Sequence, residues 1–173
     1  MATFGDTHTD STYSRGNLLG DIVLGKYAMP STGTVTDLAV LIYNEGPMAF
    51  PVKVLLYDDD GAGGAPGTRL YVSSPITIGA DITDYVRATF SLFLTAGNYW
   101  LGAVLSVDAS LVCLCYATTG GTHGIYSDSS NYTTPPSTLP TFTSTGTYVV
   151  EAYATYTPTP IADLTPLIQF GHC

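Results

Sequence analysis

The absence of any helical period limits this chain's fold more than any other sequence feature. No window of 11 or more residues carries apolar side chains 3.6 apart without a glycine, a proline or a β-branched cluster breaking it. Threonine, valine and tyrosine, which suit a pleated surface, recur instead in short runs punctuated by glycine and proline. The clearest run is 84–92, where Val86, Ala88, Phe90 and Leu92 alternate with Tyr85, Arg87, Thr89 and Ser91. Successive side chains of a strand point to opposite faces, so this stretch reads as an antiparallel strand with one core face and one wet face. Residues 26–29, 34–44, 50–57, 98–107, 111–117 and 147–156 read as further strands, with shorter ones at 69–73 and 76–78. Leu38, Val40 and Ile42 are in phase, as are Val52, Val54 and Leu56, and Tyr99, Leu101, Ala103 and Leu105. About eight strands with short turns and no helix predict an all-β, antiparallel two-sheet β-sandwich, jelly-roll-like.

At 173 residues the chain suits one domain, large enough to fold without a metal or disulfide. The expected organisation is an N-terminal arm over 1–25, with room for one short strand near its apolar patch Leu18-Leu19 and Ile22-Val23-Leu24, a β-sandwich over 26–156, and an extended C-terminal arm over 157–173. The sandwich includes a long Thr/Ser/Gly/Pro-rich loop, 118–146, of a length that suits a functional or interface loop. Thr157-Pro158-Thr159-Pro160 reads as a polyproline-like spacer.

The stretch 26–107 resembles jelly-roll β-sandwich modules of bacterial surface proteins and phage structural proteins. The resemblance rests on Gly33-Thr34-Val35-Thr36, on Val52-Lys53-Val54-Leu55-Leu56-Tyr57-Asp58, and on the Gly-rich loop ending in Pro66-Gly67. It continues in Thr89-Phe90-Ser91-Leu92 and in Leu94-Thr95-Ala96-Gly97-Asn98-Tyr99-Trp100-Leu101. It implies a non-enzymatic accessory, carbohydrate-binding-like or structural module.

Charge removes other classes. Lys+Arg number 5 against 14 Asp+Glu, a net charge of −9. So few cations cannot neutralise a phosphate backbone or hold anionic lipid, so nucleic acid is not expected as a partner. No apolar run reaches the ~18 residues of a membrane span, so no membrane insertion is expected. Residues 1–6 lack the charged and apolar regions of a signal peptide. Either a signal was removed and the numbering restarted, or the protein leaves its cell by another route such as lysis, as for a virion component; the expected location is outside the cell or on a virion surface. Cys113 and Cys115 share a strand face and bridge poorly, leaving Cys173 free, paired with one of them or bonded between chains.

No catalytic constellation is legible. The two glutamates are Glu45, in a turn, and Glu151, read as a solvent-facing or interface carboxylate. His8, His123 and His172 keep no fixed spacing to a serine or cysteine, and no Gly-x-Ser-x-Gly or His-Glu-x-x-His occurs. The chain is therefore expected not to be an enzyme and to need no cofactor. Asp58 and Asp60 suggest a weak calcium site, since carboxylates at alternate positions can converge on a hard cation. Against this, Ala62 and Arg69 fall where an EF-hand loop needs ligands, and the run also fits a loop of turn-forming residues. Trp100, out of phase with Tyr99 and Leu101, is expected to face outward. With Tyr126 and Tyr132 it offers a carbohydrate contact. Asn131-Tyr132-Thr133 matches a glycosylation acceptor.

Assembly is the stronger expectation. Charged residues make up 11% of the chain, and both faces of 34–44 are apolar. Ile161, Leu164, Leu167, Ile168 and Phe170 follow the proline spacer and form a solvent-averse assembly arm. The expected partners are copies of the chain itself, with another virion or surface protein and a glycan as further candidates. The expected role is a structural subunit of a virion surface layer, tail or extracellular filament; the alternative is a carbohydrate-binding or adhesin-type module.

Overall fold

The computed structural model describes residues 1–8, 12–13, 20–106, 112–117 and 120–160, with 12–13 and 112–117 described by their backbone pairing alone. The assembly-arm residues Ile161, Leu164, Leu167, Ile168 and Phe170 lie outside the described residues, as do Cys173 and the Cys113 and Cys115 side chains.

Among the described residues the chain is all-β, without a helix. Its strands are β1 (Ala2–Gly5), β2 (Thr12–Tyr13), β3 (Ile22–Met29), β4 (Gly33–Asn44), β5 (Phe50–Asp58), β6 (Arg69–Val72) and β7 (Ile76–Ile78). They continue with β8 (Ile82–Leu94), β9 (Gly97–Leu105), β10 (Val112–Ala117), β11 (His123–Tyr126), β12 (Ser144–Gly146), β13 (Val149–Val150) and β14 (Ala152–Pro158). All pairings are antiparallel. One sheet runs β1-β14-β4-β10-β13, with β8 on β4 and β2 on β10; the other runs β12-β11-β3-β9-β5-β6, with β7 on β5. The long strands β3, β4, β5, β8 and β9 thus alternate between the sheets except where β6 and β7 intervene.

Strand β4 organises the first sheet. It pairs with β8 along its whole length, from Gly33↔Leu94 to Asn44↔Ile82. Its other edge takes β14 over Gly33–Val40 and β10 over Ile42–Asn44. Against β14, whose Thr155 and Tyr156 are adjacent, Thr36 is an extra residue between Val35 and Asp37; toward β8 the pairing passes over Thr36 on β4 and over Phe90 and Ser91 on β8. The irregularity shifts the alternation of β4 by one. Val35 therefore joins Leu38, Val40 and Ile42 in the core although its number is odd.

Residues from both sheets share that core. Val86, Ala88, Ala152, Ala154 and Tyr156 meet Val23, Val52, Val54, Leu56, Leu101 and Leu105 there. The alternation expected for 84–92 holds: Val86 and Ala88 are buried, Phe90 and Leu92 half-buried, and Arg87, Thr89 and Ser91 exposed. The opposite face of β4 is covered as well, with Ala39 and Leu41 buried. Across it Tyr85 packs edge-on against Tyr153 at 5.2 Å, Arg87 lies over both rings, and the Tyr85 hydroxyl donates to the His8 carbonyl at 3.1 Å. Burial, reinforced by the nearby Glu151 charge, pushes the Tyr85 hydroxyl up to about 12.

Several expected boundaries need correction. Residues 2–5 are a paired strand with Phe4 in the core, and the strand expected at 26 begins at Ile22, because Ile22, Val23 and Leu24 are fully buried. Only part of 1–25 can therefore be an arm. The expected loop 118–146 contains β11, which pairs with β3, and β12, which pairs with β11. Glu151 interrupts the last strand and is buried rather than solvent-facing, its carbonyl accepting the Leu41 N–H at 2.8 Å.

Candidate functional site

The acidic loop and the aromatic residues singled out in the sequence meet on the outer face of the second sheet. Strand β5 ends at Asp58, and the chain turns back to β6 through 59–68. Asp58 N–H donates to the Thr68 carbonyl at 2.8 Å and Gly67 N–H to the Asp58 carbonyl at 3.0 Å, closing the loop at its base. Gly63 and Gly64, with φ of 70° and 74°, make the tip in a conformation that favours glycine.

Each aspartate has its own partner. Asp58 Oδ1 accepts the Asp59 N–H at 2.8 Å. The two oxygens of Asp60 accept the Thr68 N–H and the Thr68 hydroxyl, both at 2.7 Å. These bonds to the charged form hold the Asp60 carboxyl below the usual carboxylate range. Gly67 lies so close that an added Cβ would sit 2.1 Å from Asp60 Oδ1. Asp59 turns the other way: its Oδ1 accepts the Trp100 indole N–H at 2.8 Å, and its Oδ2 pairs with Lys26 Nζ at 2.7 Å. Lys26 also donates to the Gly64 carbonyl at 3.0 Å and lies over the Trp100 ring at 5.6 Å. The run thus satisfies its carboxylates within its own loop and on the sheet beneath. Among the described residues no group of three or more His, Cys, Asp or Glu is placed to hold a metal ion.

Trp100 corrects an orientation. It does leave the shared core, as its phase predicts, but it is 2% exposed because a second apolar layer covers it. That layer joins Ile22, Leu24, Leu55, Tyr57 and Val104 of the sheet to Leu139 and Phe142 of the 127–143 segment. Phe142 packs 5.3 Å from the indole. Tyr126 and Tyr132 are half-buried against the same layer, and Lys53 lies 4.8 Å from the centre of the Tyr132 ring. The three aromatics therefore form no common exposed platform.

Cations and backbone groups pin the covering segment. Lys53 donates to the Tyr132 carbonyl at 2.7 Å, and the Tyr57 hydroxyl to the Pro136 carbonyl at 2.9 Å. Arg69 donates through its guanidinium to the Pro135 carbonyl and through its N–H to the Ser137 carbonyl. Leu139 N–H donates to the Gly67 carbonyl at 2.9 Å, tying the cover to the acidic loop. Phe142 crosses directly above Gly124, where a Cβ would lie 2.2 Å from its ring. Asn131 is 3% exposed and donates to the Gly20 carbonyl at 2.8 Å, so the folded chain offers no glycan acceptor there.

Sequence reasoning named Asp58 and Asp60 and missed Asp59, the residue joining the loop to Lys26 and Trp100. Cation scarcity was the available signal, since three of the five Lys and Arg, namely Lys26, Lys53 and Arg69, anchor this outer face. Two of the surface concavities lie beside residues named above. One, of about 370 Å³, separates the acidic loop from 138–141. The other, of about 410 Å³, lies between the turns around Glu45 and Asp81, where Glu45 accepts the Tyr43 hydroxyl. Neither brings together residues that the sequence marked for a common chemistry.

The remaining structural feature is an edge. Among the described residues β8 pairs with β4 alone, so one side of a 13-residue strand carries no paired strand. Phe93, 60% exposed, and Ile82 stand near its ends. Comparisons with protein-family models, with curated proteins and with solved structures find no match to this chain.

Proposed function

We propose that the chain is a non-enzymatic structural subunit that assembles with copies of itself, in a virion surface layer, tail or extracellular filament. The body is read as a jelly-roll-like sandwich; the alternation of long strands between the two sheets supports this. The single observation carrying the functional reading is that, among the described residues, one side of β8 is unpaired. A long strand edge presents a row of backbone donors and acceptors that readily recruits another chain. Low charge gives little electrostatic opposition to such contact, and the apolar residues Ile161, Leu164, Leu167, Ile168 and Phe170 need a surface to cover them.

A carbohydrate-binding role is the weaker reading, because Trp100 is buried and Tyr126 and Tyr132 pack beside it. Electron microscopy of the concentrated full chain tests the choice. Regular layers, rings or fibres are expected; dispersed single molecules that bind immobilised glycans would overturn the structural reading.

A further inference from the structure

We infer that the open side of β8 accepts residues 161–173 of a second copy, which add one strand along Ile82–Leu94. This rests on the building-block reading above and names the contact that would build it.

The acceptor is incomplete on two counts. Among the described residues its backbone is paired on one side, to β4. Its inward-facing side chains also lose cover toward its end: Val86 and Ala88 are buried, whereas Phe90 and Leu92 on the same face are half-buried. Across the gap between the sheets, Leu70 and Tyr71 of β6 are likewise half-buried, with Tyr71 stacked on Phe90 at 3.8 Å. The shared core therefore ends here in apolar groups that a further strand would cover.

The donor matches in pattern and starting point. In an extended conformation Leu164, Pro166, Ile168 and Phe170 share one face, and Asp163, Thr165, Leu167 and Gln169 the other. The first set suits the half-covered Phe90 and Leu92; the second suits the side bearing Thr89, Ser91 and Phe93. Pro166 is tolerated in an edge strand, where one side of the backbone needs no partner.

The exit of the chain favours a second copy over its own edge. Thr157 and Thr159 each precede a proline, which restricts them to extended backbone. Thr159 N–H still donates to the Thr32 carbonyl at 2.9 Å, so the chain runs on past the end of β4. Returning along its own β8 would require a reversal and a crossing of two strand spacings, ~10 Å. That path would consume several of the residues that follow Pro160. A neighbouring edge requires no such detour.

Hydrogen–deuterium exchange and light scattering together test the assignment, on the full chain and on a full-length Leu164→Asp/Ile168→Asp/Phe170→Asp variant. The multimeric full chain should protect the amides of Ile82–Leu94. The variant should run at 18.2 kDa with those amides exposed. Adding a synthetic 161–173 peptide to it should restore protection of Ile82–Leu94 without restoring mass. A variant that stays multimeric overturns this inference and leaves the building-block reading intact. So does peptide protection confined to another strand. An 18.2 kDa full chain overturns both, whether β8 is protected by its own tail or left open. Should the triple variant fail to fold, Ser91→Lys on the exposed face of β8 must lower the multimer mass, since a lysine on an edge strand discourages pairing. An unchanged mass overturns the edge assignment.

Discussion

Replacing Trp100 with phenylalanine separates a structural indole from a ligand platform. The substitution keeps an aromatic ring but removes the N–H that Asp59 Oδ1 accepts at 2.8 Å. A hydrogen bond to a charged group contributes about 1.5–3 kcal/mol, and the smaller ring adds up to about 1 kcal/mol of lost packing in this covered layer. The expected loss is about 1.5–4 kcal/mol. For a chain of this size that lowers the melting temperature by roughly 3–16 °C. Thermal unfolding followed by circular dichroism reads the shift. Asp59→Ala and the double variant complete a cycle in which the two losses should be less than additive, as expected for groups in contact. Trp100 is the sole tryptophan, so its emission in the parent protein should be blue-shifted and poorly quenched by acrylamide. A Trp100→Phe protein melting within about 1 °C of the parent would refute this account, since surface substitutions typically change stability by less than about 0.5 kcal/mol.

Gly124→Ala should lift the covering segment, because the new Cβ would lie 2.2 Å from the Phe142 ring. A loss of about 1–3 kcal/mol, as for other overpacked sites, and faster proteolysis within 127–143 are expected. An unchanged digestion pattern would contradict the packing described. Burial holds the His123 imidazole below its ordinary value of 6.5, and the ring accepts the Tyr148 N–H at 3.2 Å, so the fold favours the neutral form. Its contribution is therefore full above about pH 6.5 and declines as pH falls through the lowered value. The urea midpoint of the parent should drop more between about pH 7 and pH 5 than that of His123→Gln. Equal slopes would remove His123 from the account.

Alternation made the shared core legible. Leu38, Val40 and Ile42, and likewise Tyr99, Leu101, Ala103 and Leu105, meet across the sheets as their phase predicts. The bulge at Thr36 was not legible, because an extra residue in one strand has no local sequence mark here, and its effect appears only in the pairing with β14. Trp100 was misread for a related reason. Period two tells which side of a strand a residue occupies, but not whether another segment covers that side. Leu139 and Phe142 lie within a Thr/Ser/Pro-rich stretch whose composition reads as loop, yet they supply the cover. The acidic run was legible as a loop, whereas Asp59's partners come from β3 and β9, remote in sequence. Which strand would be left at an edge follows from sheet order, and β8 looks in sequence like any half-buried strand.

The mass of the full chain in solution tests the central claim most directly. Multi-angle light scattering over a hundredfold range of concentration should give a defined multiple of 18.2 kDa, or growth toward larger species as concentration rises. A constant 18.2 kDa across that range would show a chain that needs no sister copies, and would contradict the account.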